Sequence, residues 1–547
     1  MAKSIRHNDE MFKEYVRKGY WEATTLSDYW DRNARDYPDD EAIVDSQTRL
    51  TWGEAKKWID RLALGFLGLG FKKDDMIVVQ LPNCVELGLL RIACERAGLL
   101  CLPVLRTWRH NEMEYTLERV EAAGVVIPWM SREFDYFAMI EQIQPRLSRL
   151  KTIFVTGERV PDGALSLKEM VKRHIEQEYP AGYLEKTKCP AEEFSLVAQT
   201  SGSAGFPKFV ESPLACRIYE GKVFAERFNI TEEDIIGVFS PATGGPNIPA
   251  YFSAPRVRAK VVMLEHFSAQ EAFELIEKEK ITLAAVVPTM LAMMMQDYRA
   301  GRYNSDSLRC IYCAGSLLPP ELGKEVQDKF GCKIVQVYGT MDAGGITVHS
   351  LSDPDSVRLT TVGKPGPGNE IRLVDDLGKE GPEVEVGEIL VKGPMLVTGY
   401  HKDAEATKSV WTDDGWYQTG DLGKFDKDGN LVIVGRKKEM IIRGGQNIYP
   451  GEIENLLMTH PDISQVAVVK MPDLVMGERA CAYIVSEKER DFTLEEIITF
   501  LQKKGVAAYK IPERMERIAS LPLLGSGKVD KKLLEKDVAE KLARIKS

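Results

Sequence analysis

Between residues 51 and 128 the chain alternates helix-length amphipathic stretches with short apolar runs: TWGEAKKWIDRLALGFLGLG, MIVVQ, CVELGLLRIACERAG, LLCLPV, EMEYTLERVEAAG and VVIP. Runs this uniformly apolar suit strands buried on both faces, and parallel strands need connections long enough to hold a helix. The same rhythm returns between residues 270 and 338 in EAFELIEKEK, LAAVVP, ELGKEVQDKFG and KIVQVYG. The expected fold class is therefore α/β, with a large N-terminal domain of mainly parallel sheets flanked by helices. Thr51 and Glu54 form a capping-box pattern for the first helix, and Gly68 or Gly70 is placed to stop it.

After residue 350 the texture changes to Gly/Pro punctuation and short strands, which predicts an antiparallel β-rich subdomain over about 350–435. The remainder reads as a small α+β domain: helix GEIENLLMTH, strands QVAVVKM and ACAYIV, and the capping-box helix TLEEIITFLQKKG. We place the domains at 1–435 and 436–547. GRKKEMIIRGG carries charges and glycines between two apolar strands, so it reads as an exposed hinge, with a simple hairpin as the alternative. A length of 547 residues exceeds what one core supports, in keeping with this division.

Composition excludes several classes of function. The net charge of −10 argues against a nucleic-acid partner or an anionic membrane surface. No run of 18 apolar residues occurs and MAKSIRHNDEMFKEY is not a secretory signal, so a cytoplasmic location without membrane insertion is expected. Nine scattered cysteines read as reduced thiols. The single CxxC, Cys310 and Cys313, reads as one buried strand rather than a zinc site.

TSGSAGFPK, residues 200–208, follows the apolar run FSLVA and is built to wrap an anion. Small residues let backbone N–H groups approach, Thr200, Ser201 and Ser203 add hydroxyl donors around Gly202, and Lys208 supplies a mobile cation. A Walker A loop would need Gly-Lys-Ser/Thr at its end; here Pro207 precedes Lys208 and Phe209 follows, so a P-loop NTPase is excluded.

Together with AGSLLPPEL (314–322), VYGTMD (337–342), TGD (419–421), GRKKEMIIRGGQNIYPGEIE (435–454) and GSGKVDK (525–531), this loop resembles the ordered motifs of the adenylate-forming superfamily of acyl-CoA synthetases, peptide adenylation domains and luciferases. The C-terminal stretch AAYKIPERMERIASLPLLGSGKVDKK is most similar to its aryl-acid branch. The resemblance implies an acid-thiol ligase using ATP, Mg²⁺ and coenzyme A. A carboxylate attacks the α-phosphate to give acyl-AMP and pyrophosphate, and a thiol then displaces AMP.

Residue roles follow from the matching positions. Lys528 is the lysine that bridges carboxylate and α-phosphate, and Lys438 is the hinge about which the small domain rotates between half-reactions. Thr200, Ser201, Gly202, Ser203 and Lys208 hold phosphate. Asp421 and Arg436 hold the ribose hydroxyls, which a carboxylate and a guanidinium suit. Tyr338 and Gly339 flank the adenine, with Gly315 and Ser316 opposite. Asp342 stands where the family usually has a Mg²⁺-binding glutamate, with Thr340 as a hydroxyl donor, and Met341 replaces a usual threonine. Arg443, Gly444 and Gly445 belong to a loop that reaches the thioester site.

The acyl pocket falls on Gly244, Gly245, Gly315 and Met341. Glycines stand where related enzymes place an aromatic, a histidine or a hydroxyl-reading asparagine. An aromatic, alicyclic or short branched acid without a recognised hydroxyl is therefore expected, since buried polar specificity needs a partner. Free CoA is the expected thiol. A carrier-protein phosphopantetheine, and a nucleotide-binding homologue without catalysis, are the alternatives; a homodimer stays open.

Overall fold

The computed structural model describes residues 9–157, 159–200, 207–241, 243–299, 301–375, 377–381, 384–486, 490–524 and 528–546. A seven-stranded sheet runs in the order Lys333–Gln336, Cys310–Cys313, Leu283–Val286, Ile235–Val238, Lys260–Met263, Glu41–Val44 and Arg49–Thr51. Only its last pairing is antiparallel. A second, five-stranded sheet is parallel throughout, in the order Leu100–Pro103, Met76–Val79, Ala122–Pro128, Thr152–Thr156 and Ala164–Ser166. The central strands are apolar on both faces because helices cover both faces, whereas the edge strands Arg49–Thr51 and Ala164–Ser166 are partly exposed.

The capping boxes form as the residue types dictate. Thr51 caps the helix Trp52–Gly68 with Glu54 reciprocating, and Thr493 and Glu496 do the same for Leu494–Lys503. EMEYTLERVEAAG divides differently from the sequence reading. Its helix ends at Arg119, Glu121 turns the chain with φ of 52°, and Ala122–Gly124 already belong to the next strand. Cys310 and Cys313 lie on one buried strand, and all nine cysteines are free. Among the described residues no helix is long and apolar enough to cross a membrane.

A short antiparallel sheet, Val197–Gln199, Phe209–Glu211 and Gly399–Tyr400, carries the base of the phosphate-loop segment. The β-rich part is a four-stranded antiparallel sheet of Glu370–Val374, Gly387–Lys392, Tyr417–Phe425 and Leu431–Arg436. The C-terminal sheet comprises Gln446–Ile448, Ile441–Arg443, Gly477–Ser486, Ile463–Asp473 and Arg514–Arg517, with helices Pro450–Leu457, Leu494–Lys503 and Lys531–Lys546. Leu431–Arg436 and Ile441–Arg443 belong to different sheets, so the intervening residues are not a hairpin.

One fully buried carboxylate ties the N-terminal helices together. Glu95, on helix Val85–Ala97, accepts from the Ser27 backbone N–H at 2.8 Å and its hydroxyl at 2.7 Å, at the start of helix Leu26–Asp36. Burial pushes its carboxyl up to about 7, against those hydrogen bonds. The folded chain therefore keeps a proton that the unfolded chain releases, so this contribution to stability is lost as pH rises through about 7. Glu95→Gln is expected to flatten the fall in stability between about pH 5 and 8, by up to roughly 3 kcal/mol, measured by urea unfolding across that range.

Candidate active site

The residues expected on the nucleotide and acyl sides follow the carboxyl ends of strands of the seven-stranded sheet, where open α/β sheets bind ligands. Gln336 leads into Tyr338, Gly339 and Thr340, Cys313 into Gly315 and Ser316, and Ile235–Val238 into the segment carrying Gly244 and Gly245. Gly315 has φ of 94°, and Gly339 pairs so closely with Gly345 that a side chain there would meet the Gly344 carbonyl at 2.6 Å. Gly315 and Ser316 are exposed while Tyr338 is buried.

Asp421 and Arg436 are direct partners in the antiparallel ladder, and that register sets carboxylate against guanidinium at 3.0 Å. The other Asp421 oxygen accepts from the Tyr338 hydroxyl at 2.7 Å. Burial pushes the Asp421 carboxyl up, and Arg436 opposes it. The Tyr338 phenol is pushed well up by the same burial and by the Asp421 charge. A cavity of about 330 Å³ opens beside this pair, lined by Thr419, Gly420, Arg436, Lys437 and Lys438.

Lys528 comes from the other end of the chain to the same place. Its side chain is exposed to solvent, with protein groups around it. That crowding, then the Arg436 guanidinium, hold its ammonium below the ordinary lysine range, while Asp421, Glu439 and Asp342 pull upward. Crowding and Arg436 likewise depress Lys438, in the 3₁₀ turn Lys437–Glu439. A cleft with this concentration of cations favours a polyanionic ligand.

Asp342 accepts from the Tyr400 hydroxyl at 2.6 Å, and Lys208 places its ammonium over the Tyr400 ring, 4.5 Å from the centroid. The Thr340 hydroxyl accepts from the Ala343 N–H at 3.0 Å. The Thr200 hydroxyl accepts from the Lys208 N–H at 3.0 Å, and the Thr200 N–H donates to the Lys208 carbonyl at 2.9 Å. Ser201, Gly202 and Ser203 lie outside the described residues. Tyr400 was not singled out in the sequence; the signal available was its strand position beside the phosphate loop, pairing with Val210.

On the acyl side, a methyl at Gly245 would lie 3.8 Å from the Met341 sulfur, and one at Gly315 3.4 Å from Val287 Cγ1. Asn247, also not anticipated, is fully buried. Its amide donates to the Pro241 carbonyl at 2.8 Å and its oxygen accepts from the Ser240 hydroxyl at 3.3 Å, so it fixes this loop. Arg443 pairs with Glu513 through Nε at 3.2 Å and Nη2 at 2.8 Å. Gly444 and Gly445, at φ of 56° and 83°, form the two-residue turn of the hairpin Ile441–Arg443 to Gln446–Ile448. The hairpin lies on the C-terminal sheet; no described contact brings it to the Asp421 cluster.

Asp342 fits a magnesium ion. One carboxylate oxygen is taken by Tyr400, leaving the second for a hard cation, and among the described residues no group of three or more His, Cys, Asp or Glu could hold a metal. Mg²⁺ bound through one protein carboxylate, water and substrate phosphate needs no larger cage.

With this geometry, residues 30–401 match the AMP-binding enzyme family and residues 452–528 match the AMP-binding enzyme C-terminal domain. The chain belongs to the AMP-binding enzyme family, in the superfamily its motifs resemble. It is 34% identical over 540 residues to 2,3-dihydroxybenzoate-AMP ligase of Bacillus subtilis, covering 98% of this chain and 97% of the relative. It is 32% identical over 533 residues to 2-hydroxy-7-methoxy-5-methyl-1-naphthoate CoA ligase of Streptomyces carzinostaticus, covering 96% and 95%. Among solved structures, an anthranilate CoA ligase in complex with anthranoyl-AMP superposes with a TM-score of 0.85 at 23% identity, covering 96% of this chain and 98% of that one, which establishes the shared fold.

Tyr338→Phe removes one of the two donors to the buried Asp421 carboxylate. The expected cost is about 1–3 kcal/mol of stability, the penalty of a buried acceptor left unmatched, read by urea unfolding without ligand.

Proposed function

We propose that this enzyme is an ATP-dependent carboxylate:CoA ligase of cytoplasmic location, acting through an acyl-adenylate on a cyclic or short branched acid. The observation that carries the proposal is the contact of Asp421 with Arg436 and Tyr338, with Lys528 and Asp342 within electrostatic reach of one another and of that cluster, the five residues being drawn from four separate motifs.

In the first half-reaction a carboxylate oxygen attacks the α-phosphorus of ATP and pyrophosphate leaves. Two anions must meet, so the chain's task is neutralisation and alignment rather than proton abstraction. Lys528 offers its ammonium to both the carboxylate and the α-phosphate. Asp421 and Arg436 orient the ribose, and Lys208, Thr200 and the loop between them receive the leaving phosphates. Asp342, fixed by Tyr400, would hold Mg²⁺, which when bound neutralises phosphate charge. In the second half-reaction the CoA sulfur attacks the acyl carbonyl and AMP leaves. Rotation about Lys438 withdraws Lys528 and brings in Arg443, Gly444 and Gly445.

The acid is read from the pocket wall. Gly245 faces the Met341 sulfur and the Asn247 amide is already bonded to the protein, which supports an acid without a recognised ring hydroxyl.

The test is AMP release from ATP, Mg²⁺ and CoA with a panel of benzoate, cyclohexane and cyclohexene carboxylates, short branched acids and 2,3-dihydroxybenzoate. Turnover of an unhydroxylated member exceeding that of 2,3-dihydroxybenzoate is expected; no turnover of any acid refutes the assignment. AMP release that requires a loaded carrier protein in place of CoA would identify the alternative thiol. Lys528→Ala should reduce carboxylate-dependent pyrophosphate exchange at least about a hundredfold. Lys438→Pro should retain that exchange and lose thioester formation; parallel loss of both steps would contradict the hinge.

A further inference from the structure

An ion-pair cluster that takes no part in either chemical step fixes the lysine loop to the proposed hinge. Lys531, three residues after Lys528, opens the helix Lys531–Lys546. Its ammonium lies 2.7 Å from Glu454 Oε1 and 3.3 Å from Glu439 Oε2. Glu439 closes the turn Lys437–Glu439 and is the residue immediately beyond Lys438. Glu454 belongs to the helix Pro450–Leu457, and the oxygen that meets Lys531 also accepts from the Val468 N–H at 2.7 Å.

The loop is built on this base. The Leu524 N–H donates to the Lys528 carbonyl at 2.7 Å, the Asp530 N–H donates to the Pro522 carbonyl at 2.8 Å, and Leu523 bridges Val529. These bonds pair the described residues on either side of 525–527, and Lys528 lies three residues before Lys531, so where Lys531 is held sets where Lys528 starts. Side-chain exposures of 18%, 30% and 20% for Lys531, Glu439 and Glu454 show the cluster to be largely covered, where ion pairs fix geometry better than at an open surface.

Charge adds a second effect. Glu439 acts electrostatically on Lys528, Arg436 and Asp421 as well as on Lys531. While Lys531 is present, the Glu439 carboxylate has a committed cation. Without it, Glu439 becomes an anion beside Lys528 that competes with substrate for the same ammonium.

We infer that Lys531 is a positioning residue for adenylation: it locks the Lys528 loop to the first residue beyond the hinge and keeps Glu439 from capturing Lys528. This rests on the adenylating function proposed above. The thioester step lies outside its reach, because Arg443 and Gly444 are held by Glu513 and the Met476 carbonyl.

The experiment compares half-reactions, using the acid that releases AMP fastest in the panel and its chemically prepared acyl-adenylate. In Lys531→Met, carboxylate-dependent pyrophosphate exchange should fall about tenfold or more, while CoA-dependent consumption of acyl-AMP stays within about twofold. Lys531→Arg should retain exchange, and adding Glu439→Gln to Lys531→Met should recover part of it. Unchanged exchange, or equal loss of both half-reactions in a protein that melts normally, overturns the inference. Should Lys531→Met fail to fold, Lys531→Gln, which keeps a donor for Glu454, carries the same comparison. A wild-type enzyme inactive with every acid refutes the adenylating function instead.

Discussion

The arrangement depends on one register: Asp421 directly opposite Arg436 in an antiparallel ladder, with the carboxylate buried. A carboxylate in that position must be matched, because removing one partner of a buried ion pair costs roughly 3–5 kcal/mol. It is matched from three directions. Arg436 comes from the neighbouring strand, Tyr338 from the end of the parallel sheet, and the electrostatic pull of Lys528 from the C-terminal loop. The β-rich sheet, the α/β body and the small domain thus meet at one charge. A one-residue slip of the ladder would turn Asp421 to the other face and separate all three.

A second pivot of the same kind is Tyr400. Its hydroxyl fixes Asp342 and its ring carries Lys208, so one side chain joins the Phe209–Glu211 strand region to the carboxylate proposed to hold the metal. Asp is one methylene shorter than the glutamate usual at this position. The tyrosine bond holds the shorter side chain in one orientation, where a free rotamer would otherwise be lost on binding.

Much of this was legible in the sequence, and the unread part has a common physical origin. Alternating helical and apolar stretches gave the parallel sheets, because strand burial and helix length are local signals. Thr51 with Glu54 and Thr493 with Glu496 gave helix starts, because capping operates within four residues. Motif order gave Asp421, Arg436, Tyr338, Asp342 and Lys528, since each is embedded in a distinctive short string. Tyr400 and Asn247 carry no such string, and Glu439 and Lys531, though they lie within GRKKEMIIRGGQNIYPGEIE and GSGKVDK, carry no local sign of their pairing. Their meaning lies in partners up to 192 residues away, such as Tyr400 to Lys208, which only the fold brings together. The end of the helix before Ala122 was missed for a related reason: Ala-Ala-Gly is compatible with either state, and tertiary pairing with Met76 and Ile77 decides it.

The charge layout bears on the hinge proposed at Lys438. Arg436, Lys438 and Lys528 gather on one side of the cleft, so without a polyanion they repel one another, and both lysines are depressed partly by Arg436. A bound polyphosphate would relieve that repulsion, in keeping with the adenylating function proposed for this cleft. By joining the residue after the proposed hinge to the base of the lysine loop, the Glu439–Lys531–Glu454 cluster holds Lys528 in place relative to that segment for the adenylating step.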